Sequence, residues 1–388
     1  RDHNDDNNKN DNDKVTTMYR IRFTKMHGAG NDFVLFKRNG KHHNDYGHEP
    51  LSLDELSYIS KSIANRKLGV GCDQVIIVTD APSPKSDYEM LIYNQDGSVA
   101  TMCGNGVRCF SKYITDNRIP SVYMMDGGNN VDEVYEERMF QRVHTLAGII
   151  ITYPLAQSTY GLTKLIKVNM GSPLVLKTNA PPSLASLSSP EPPTTTTTKE
   201  DNRVILTPIT GQMYYSKTIN VLGMATTTCT SSSTSSSAAI TLFQCILVSM
   251  GNPHCVVFLE DNIKLGSLPT DTSLDTLDIA DIGKKIEADP IFIDSCNVEF
   301  VTVCTNHLIR KVRARVWERG TGETLACGTG ACAVAVASIL TGKCQVDETV
   351  SINMPGGELL IDWNQQEGKV YKTGPATTVF TSEIDIVV

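Results

Sequence analysis

Two cysteines of this chain stand in the same short setting. Cys103 opens Cys103-Gly104-Asn105-Gly106, and Cys327 opens Cys327-Gly328-Thr329-Gly330. A helix-forming run follows each, Val107–Ile114 after the first and Ala331–Leu340 after the second. The pattern Cys-Gly-polar-Gly therefore predicts a thiol at a helix start. Backbone N–H groups lack intrahelical acceptors there, and the positive dipole end favours an anion. The same end lowers a thiol pKa, so partial thiolate near neutral pH is expected. The glycines let a ligand approach the backbone closely. Two thiols facing each other across a carbon suit stereochemical inversion. One removes a proton, and the other delivers a proton to the opposite face.

The duplication reaches beyond these turns. Asn94-Gln95 lies nine residues before Cys103, and Glu318-Arg319 lies nine before Cys327. Gln74 lies 29 residues before Cys103, and Asn297 lies 30 before Cys327. One layout used twice predicts a pseudo-twofold site between two halves. Free cysteine is more often a small buried apolar residue, and that reading is assigned to Cys109, Cys245, Cys255 and Cys332. It is weaker for Cys103 and Cys327, whose glycine context exposes amides that need a partner. The spacings Cys103-x5-Cys109 and Cys327-x4-Cys332 do not form a paired zinc set, so no metal is expected.

The elements that must hold these residues are legible in part. Tyr19–Lys25 alternates apolar and polar like a half-buried strand, then a glycine loop leads to Val34–Phe36. Ser52-Leu53-Asp54-Glu55 is a capping box, and Leu56, Ile59 and Ile63 fit one helical face. Strands are expected at Gln74–Val78, Tyr88–Tyr93, Ala147–Tyr153, Thr163–Met170, Cys245–Met250, Cys255–Leu259, Asn297–Cys304 and Lys311–Glu318. A last short strand, Thr378–Phe380, follows Gly374–Thr377. The run after Cys327 is apolar on all sides, which predicts a buried helix with sheet wrapped around it.

At 388 residues and 40% hydrophobic content the chain is long enough for two domains with real cores. Its net charge of −8, with no basic patch, argues against a nucleic-acid partner. The longest apolar run, Ala331–Ala337, is too short to span a membrane. Eleven scattered cysteines form no regular disulfide framework, which favours a reducing compartment over secretion. Residues 1–17 are mostly polar and acidic and read as a disordered tail. Pro120–Arg142 reads as a loop insertion. The low-complexity stretches 178–199 and 226–237 have too little hydrophobicity to pack and read as surface loops.

The motifs resemble the diaminopimelate epimerase family of the cofactor-independent amino-acid racemase superfamily. They include Lys25–Phe33, Leu68–Gln74, Asn94–Ser98, Met102–Phe110, Val168–Gly171, Ser249–Cys255, Trp317–Thr324, Ala326–Ala333 and Met354–Gly357. The resemblance runs from about Met18 to Ile386, excluding the insertions. It implies interconversion of LL- and meso-diaminopimelate with no pyridoxal phosphate and no metal. Cys103 and Cys327 match the family's two catalytic cysteines. The amides of Gly104-Asn105 and Gly328-Thr329 match its grip on the reacting carboxylate, where charge grows in the transition state. Asn31, Gln74 and Glu318 match groups around the reacting amino end. His254 and Glu318 match positions expected to protonate and orient the thiols. Arg319 matches the residue that holds the distal carboxylate by two parallel hydrogen bonds, with Asn94, Asn252 and Asn297 as neighbours. Each asparagine alone would read as a turn or strand-end residue bonding its own backbone.

The resemblance further implies an α/β (α+β) fold of two pseudo-symmetric domains. Each is a mainly antiparallel sheet curled around a central helix, and the active site lies in the interdomain cleft. The expected boundaries are 18–168 plus 374–388 for the first domain and 169–373 for the second, with the C-terminal strand returning to the first. The partner is a small amino-acid substrate, with no nucleic acid and no membrane, and a homodimer is left open. Low-complexity loops are common in eukaryotes, where the plastid stroma or the cytoplasm would house this pathway. Three other readings stay open: a proline or hydroxyproline racemase, a redox sensor with a reversible Cys103–Cys327 disulfide, and a non-catalytic binding module.

Overall fold

The structure is a computed structural model. It describes residues 18–38, 51–121, 123, 139–155, 161–176, 206–208, 217–222, 240–289, 292, 295–304 and 311–388. The tail 1–17, most of the insertion at 120–142, and the low-complexity loops 178–199 and 226–237 lie outside the described residues.

Strands β1 (Met18–Gly28) and β2 (Asn31–Lys37) form a hairpin, with Gly30 at positive φ in its turn. Helix α1 (Leu53–Ala64) then crosses to β3 (Gln74–Asp80), which runs parallel to β2. Ser52 caps α1 as its residues require, accepting from the Glu55 N–H while Glu55 accepts from the Ser52 N–H. β4 (Tyr88–Asn94) returns antiparallel to β3, and β5 (Val99–Ala100) pairs with its end. Helix α2 (Gly106–Asp116) follows, and then β6 (Gln141–Thr145), parallel to β4. β7 (Gly148–Pro154) and β8 (Thr163–Asn169) continue antiparallel.

The second half repeats this order. β9 (Leu174–Leu176) pairs with β10 (Leu206–Pro208) and with the end of β12 (Ile240–Ser249), while β11 (Lys217–Leu222) pairs with β12 over 240–245. β12 and β13 (Pro253–Phe258) make the hairpin, and α3 (Leu259–Leu265) and α4 (Ile279–Glu287) make the crossover. β14 (Asn297–Cys304) is parallel to β13, and β15 (Lys311–Glu318) is antiparallel to β14, with β16 (Gly322–Thr324) at its end. Helix α5 (Gly328–Leu340) leads to β17 (Val350–Met354), parallel to β15, and to β18 (Gly357–Asn364).

The last strand, β19 (Lys369–Val387), ties the halves together. It pairs with β18 over Lys369–Thr373, with β8 over Tyr371–Thr377 and with β1 over Thr377–Val387. β1-β2-β3-β4-β6-β7-β8-β19 thus closes into a ring around α2. The strands β9-β12-β13-β14-β15-β17-β18-β19 curl around α5 in the same way. Met170 and Gly171 meet Val370 by backbone hydrogen bonds at the seam.

Both sheets are mainly antiparallel, and the fold is α+β with two similar halves. α5 is buried on every side from Gly330 to Ile339, as its unbroken apolar run predicts. The final strand corrects the short Thr378–Phe380 expectation. Its 19 residues run through Gly374-Pro375 because β8 and β1 supply partners on both sides of that point. β6, β17, β18, α3 and α4 were not anticipated either.

Candidate active site

The two Cys-Gly-polar-Gly turns end as near copies at the inner ends of α2 and α5. The Val107 N–H donates to Cys103 O at 2.9 Å, and the Ala331 N–H donates to Cys327 O at 2.9 Å. The Gly106 N–H donates to Cys103 Sγ at 3.3 Å, and the Gly330 N–H donates to Cys327 Sγ at 3.4 Å. Thr329 Oγ1 also lies 3.5 Å from Cys327 Sγ. The last glycine of each turn is closely packed. A Cβ on Gly106 would meet Ile76 Cδ1 at 2.8 Å, and one on Gly330 would meet Glu299 Oε1 at 2.5 Å. Ile76 on β3 and Glu299 on β14 occupy matching places, since Gln74 and Asn297 open these two strands.

The expected lowering of the thiol pKa values is corrected. Burial pushes the Cys103 thiol up from its ordinary value. The amides of Gly106 and Asn105 and the cations Lys372 and Arg108 pull it down only in part. Burial also pushes Cys327 well up, and the carboxylates of Glu318 and Glu299 add to the effect. Desolvation of an anion outweighs a helix terminus here, so thiolate formation needs a proton acceptor.

Glu318, at the end of β15, lies beside Cys327, with which its carboxyl shares a hydrogen bond. Burial raises the Glu318 pKa, against the lowering effect of a hydrogen bond donated by Thr324 Oγ1. His254 is buried with both ring nitrogens engaged. Nδ1 lies 2.7 Å from Glu299 Oε1, and Nε2 lies 3.1 Å from Asn252 Oδ1. The recorded hydrogen bonds of His254 thus join it to Glu299 and Asn252, not to a thiol.

The amide side chains hydrogen-bond within their own halves. Asn105 Nδ2 donates to Asn31 Oδ1 at 2.7 Å, while Asn31 Nδ2 donates to Asp73 at 3.3 Å. Gln74 Nε2 donates to Asn94 Oδ1 at 2.9 Å across the β3–β4 pair. Asn94 Nδ2 donates to Ser98 Oγ at 3.0 Å. Asn297 Nδ2 donates to Pro253 O at 3.1 Å, and its Oδ1 accepts from the Arg319 N–H at 3.0 Å. Arg319 itself is exposed just beyond β15. Among the described residues no group of three or more His, Cys, Asp or Glu side chains is placed to hold a metal.

Three buried charged residues escaped the sequence reading. Glu299 shares a face of β14 with Asn297 and Val301. Arg108 is fully buried and donates to Pro375 O and Gly104 O at 3.2 Å each. Lys372 is fully buried on β19, and its Nζ donates to Gly104 O at 3.2 Å. A Cβ on Gly104 would lie 2.6 Å from Lys372 Nζ, and one on Gly328 would lie closer still. The two turns therefore meet at this one ammonium. A signal was available for Lys372, because Val370, Lys372, Gly374 and Ala376 alternate onto the inward face of one strand.

The two-ring architecture is shared with solved structures. A phenazine biosynthesis protein of the PhzF family from Bacillus anthracis superposes with a TM-score of 0.53 at 11% identity, covering 95% of this chain and all of the other. A methylitaconate-delta-isomerase gives a TM-score of 0.52 at 13% identity, covering 95% of this chain and 96% of the other. At such identities the likeness defines the fold class alone. The sequence likeness is more specific. The family model for diaminopimelate epimerase matches residues 23–174 and 246–379. A diaminopimelate epimerase from Microcystis aeruginosa is 36% identical over 93% of this chain and 98% of its own length. One from Methanococcus maripaludis is 32% identical over 94% of this chain and the whole of its own length. The chain belongs to the diaminopimelate epimerase family.

Proposed function

We propose that this protein is a diaminopimelate epimerase, an isomerase that interconverts LL- and meso-diaminopimelate in lysine biosynthesis by a two-thiol mechanism. The observation that carries the mechanism is the meeting of two duplicated cysteine turns at one point, each at a helix start. Free N–H groups of Gly104, Asn105, Gly328 and Thr329 then bind the reacting carboxylate. They stabilise the charge that grows on it as the Cα proton leaves. Asn31, Gln74 and Glu318 surround the amino end.

The surroundings of the thiols differ in sign, and this ranks how readily two buried thiols lose a proton. Lys372 and Arg108 favour the thiolate at Cys103. Glu318 and Glu299 favour the protonated thiol at Cys327. Burial raises both thiols, but Cys103 is the readier of the two to act as base and Cys327 the readier to give its proton, with roles exchanged in the reverse direction. Glu318 takes the Cys327 proton when that thiol must act as base. His254, bonded to Glu299 and Asn252, orients the groups on that side. Arg319, with Asn94, Asn252 and Asn297, holds the distal end of the substrate through a bidentate carboxylate contact.

This reading keeps the domain boundaries at 168/169 and 373/374. Ten cysteines outside disulfides among the described residues fit a reducing plastid stroma or cytoplasm, and a homodimer is compatible with this reading.

Turnover in D2O tests the two-thiol mechanism. Starting from LL-diaminopimelate, early meso product carries deuterium at the inverted carbon, and recovered LL substrate stays largely unlabelled. Cys103→Ala and Cys327→Ala each abolish epimerisation, and the double variant is little worse than either. Early product that keeps the substrate hydrogen would sink the mechanism.

A further inference from the structure

Lys372 is the charged group that the reaction scheme above leaves without a direct task. Its side chain is fully buried on β19 at the crossing from one ring to the other. Its register neighbours across the sheet are apolar, Val168 on β8 and Ile361 on β18. The titratable and charged groups that act on it most are Arg108, Cys332, Cys103 and Cys327. None of these is a carboxylate, so Lys372 is not half of a buried salt bridge. The one acceptor recorded for its ammonium is the Gly104 carbonyl.

Burying an ammonium beside a guanidinium is unfavourable, and a methionine-like side chain would fill the same core at lower cost. The location accounts for the charge. The first glycines of both cysteine turns close on Nζ, so a Cβ at either position would have to displace the ammonium. Asn105 Oδ1, a buried acceptor without a recorded partner, lies 3.7 Å from the Cβ position of Gly328, on the same side as the ammonium. Polar groups of both turns thus converge on one cation.

We propose that Lys372 is a positioning residue of the active site: its ammonium fixes the spacing of the two Cys-Gly-polar-Gly turns from behind and holds positive charge where the Cys103 thiolate and the substrate carboxylate form. The proposal rests on the two-thiol reading of this site. It deepens that reading by naming what couples the two halves.

Burial and Arg108 push the Lys372 pKa down to about 8. Two signs follow. The charge is present below about pH 8 and fades above it, so any benefit to the thiols fades over the same range. The folded value lies below that of the unfolded chain, so the burial cost is complete below about pH 8 and shrinks as pH rises toward the ordinary lysine range.

Lys372→Met and Lys372→Gln test the proposal. The first removes the charge at similar volume, and the second keeps a donor for Gly104 O without the charge. In substrate-free protein, iodoacetamide labelling of Cys103 is followed by mass spectrometry across pH 6–10. Both variants are expected to label about tenfold more slowly than wild type near pH 7, equivalent to about one pKa unit. The difference should narrow above about pH 8, as wild type loses its own charge. The kcat ratio of wild type to variant for LL-diaminopimelate should narrow in the same way. Both variants should melt no lower than wild type at pH 7, since they remove a buried charge.

Labelling and kcat equal to wild type in either variant would overturn the proposal. A loss that stays constant across pH would also overturn it, because that is what a packing defect produces. If wild-type protein fails to turn over diaminopimelate, the functional reading falls while the labelling still judges Lys372. If wild type turns over and the variants match it, only Lys372 falls.

Discussion

At the scale of single residues, chemistry here is set by what each titratable group is buried against. Cys103 and Cys327 have nearly the same backbone, yet one faces cations and the other carboxylates. Glu318 is the test of that asymmetry. Its raised pKa brings proton transfer with a thiol closer to balance than an ordinary carboxylate would. As pH falls through that raised value the carboxylate protonates and the base is lost. Activity should therefore drop on the acid side at a higher pH than for an ordinary glutamate. Glu318→Gln should lower kcat by roughly a hundredfold to ten-thousandfold and remove that acid limb, as steady-state rates against pH would reveal. Arg319→Lys keeps a charge but loses the planar fork. A rise in KM with a smaller fall in kcat is expected from initial-rate kinetics, since remote binding energy helps position the reacting carbon. Unchanged constants would move the distal carboxylate to another residue.

At the scale of elements, helix starts matter most. α2 and α5 each bring a thiol and free amides to one point, and each needs a glycine at its first tight contact. Gly330→Ala would drive a Cβ into the Glu299 carboxyl and strain its bond to His254. Overpacking of this kind costs about 1–3 kcal/mol, and activity should fall with it. Thermal melting and kcat measured together would reveal both losses. The cap of α1 offers a contrast, because it lies away from the site. Ser52→Ala removes the side-chain half of the capping box and leaves the backbone N–H on Glu55, a loss of about 1 kcal/mol. Denaturant unfolding should register that loss while kcat stays at the wild-type value.

For the whole molecule, β19 is the decisive element. It belongs to both rings, and its pairing with β1 closes the first. Truncation after Thr377 should open that ring, uncover the Phe23 and Ile21 side of β1, and leave protein that aggregates or melts early by circular dichroism. The exposed Arg20–Asp385 ion pair lies along the same stretch, with both side chains largely in solvent. Asp385→Ala should not shift the melt measurably, because exposed pairs contribute little. Soluble, fully active protein from the truncation would show that the first ring holds its part of the site without being closed.

The sequence by itself determined the repeat, and with it most of the site. Cys103 and Cys327, Gln74 and Asn297, and Asn94 and Glu318 could be paired by spacing alone, because each sits at the end of an element whose length is set locally. The capping box at Ser52 and the apolar run of α5 were legible for the same reason: short-range periodicity and hydrogen bonding decide them. Residues whose meaning depends on distant neighbours were not legible. Glu299 and Lys372 look like ordinary polar residues on strands until the sheets curl and turn them inward. The thiol pKa values went the other way from the local expectation, because desolvation depends on everything packed around a helix start and not on the helix alone. The length of β19 likewise needed β8 and β1 to supply partners from more than 200 residues away in sequence. Strand pairing over such separations is a property of the closed ring, and only the tertiary structure decides it.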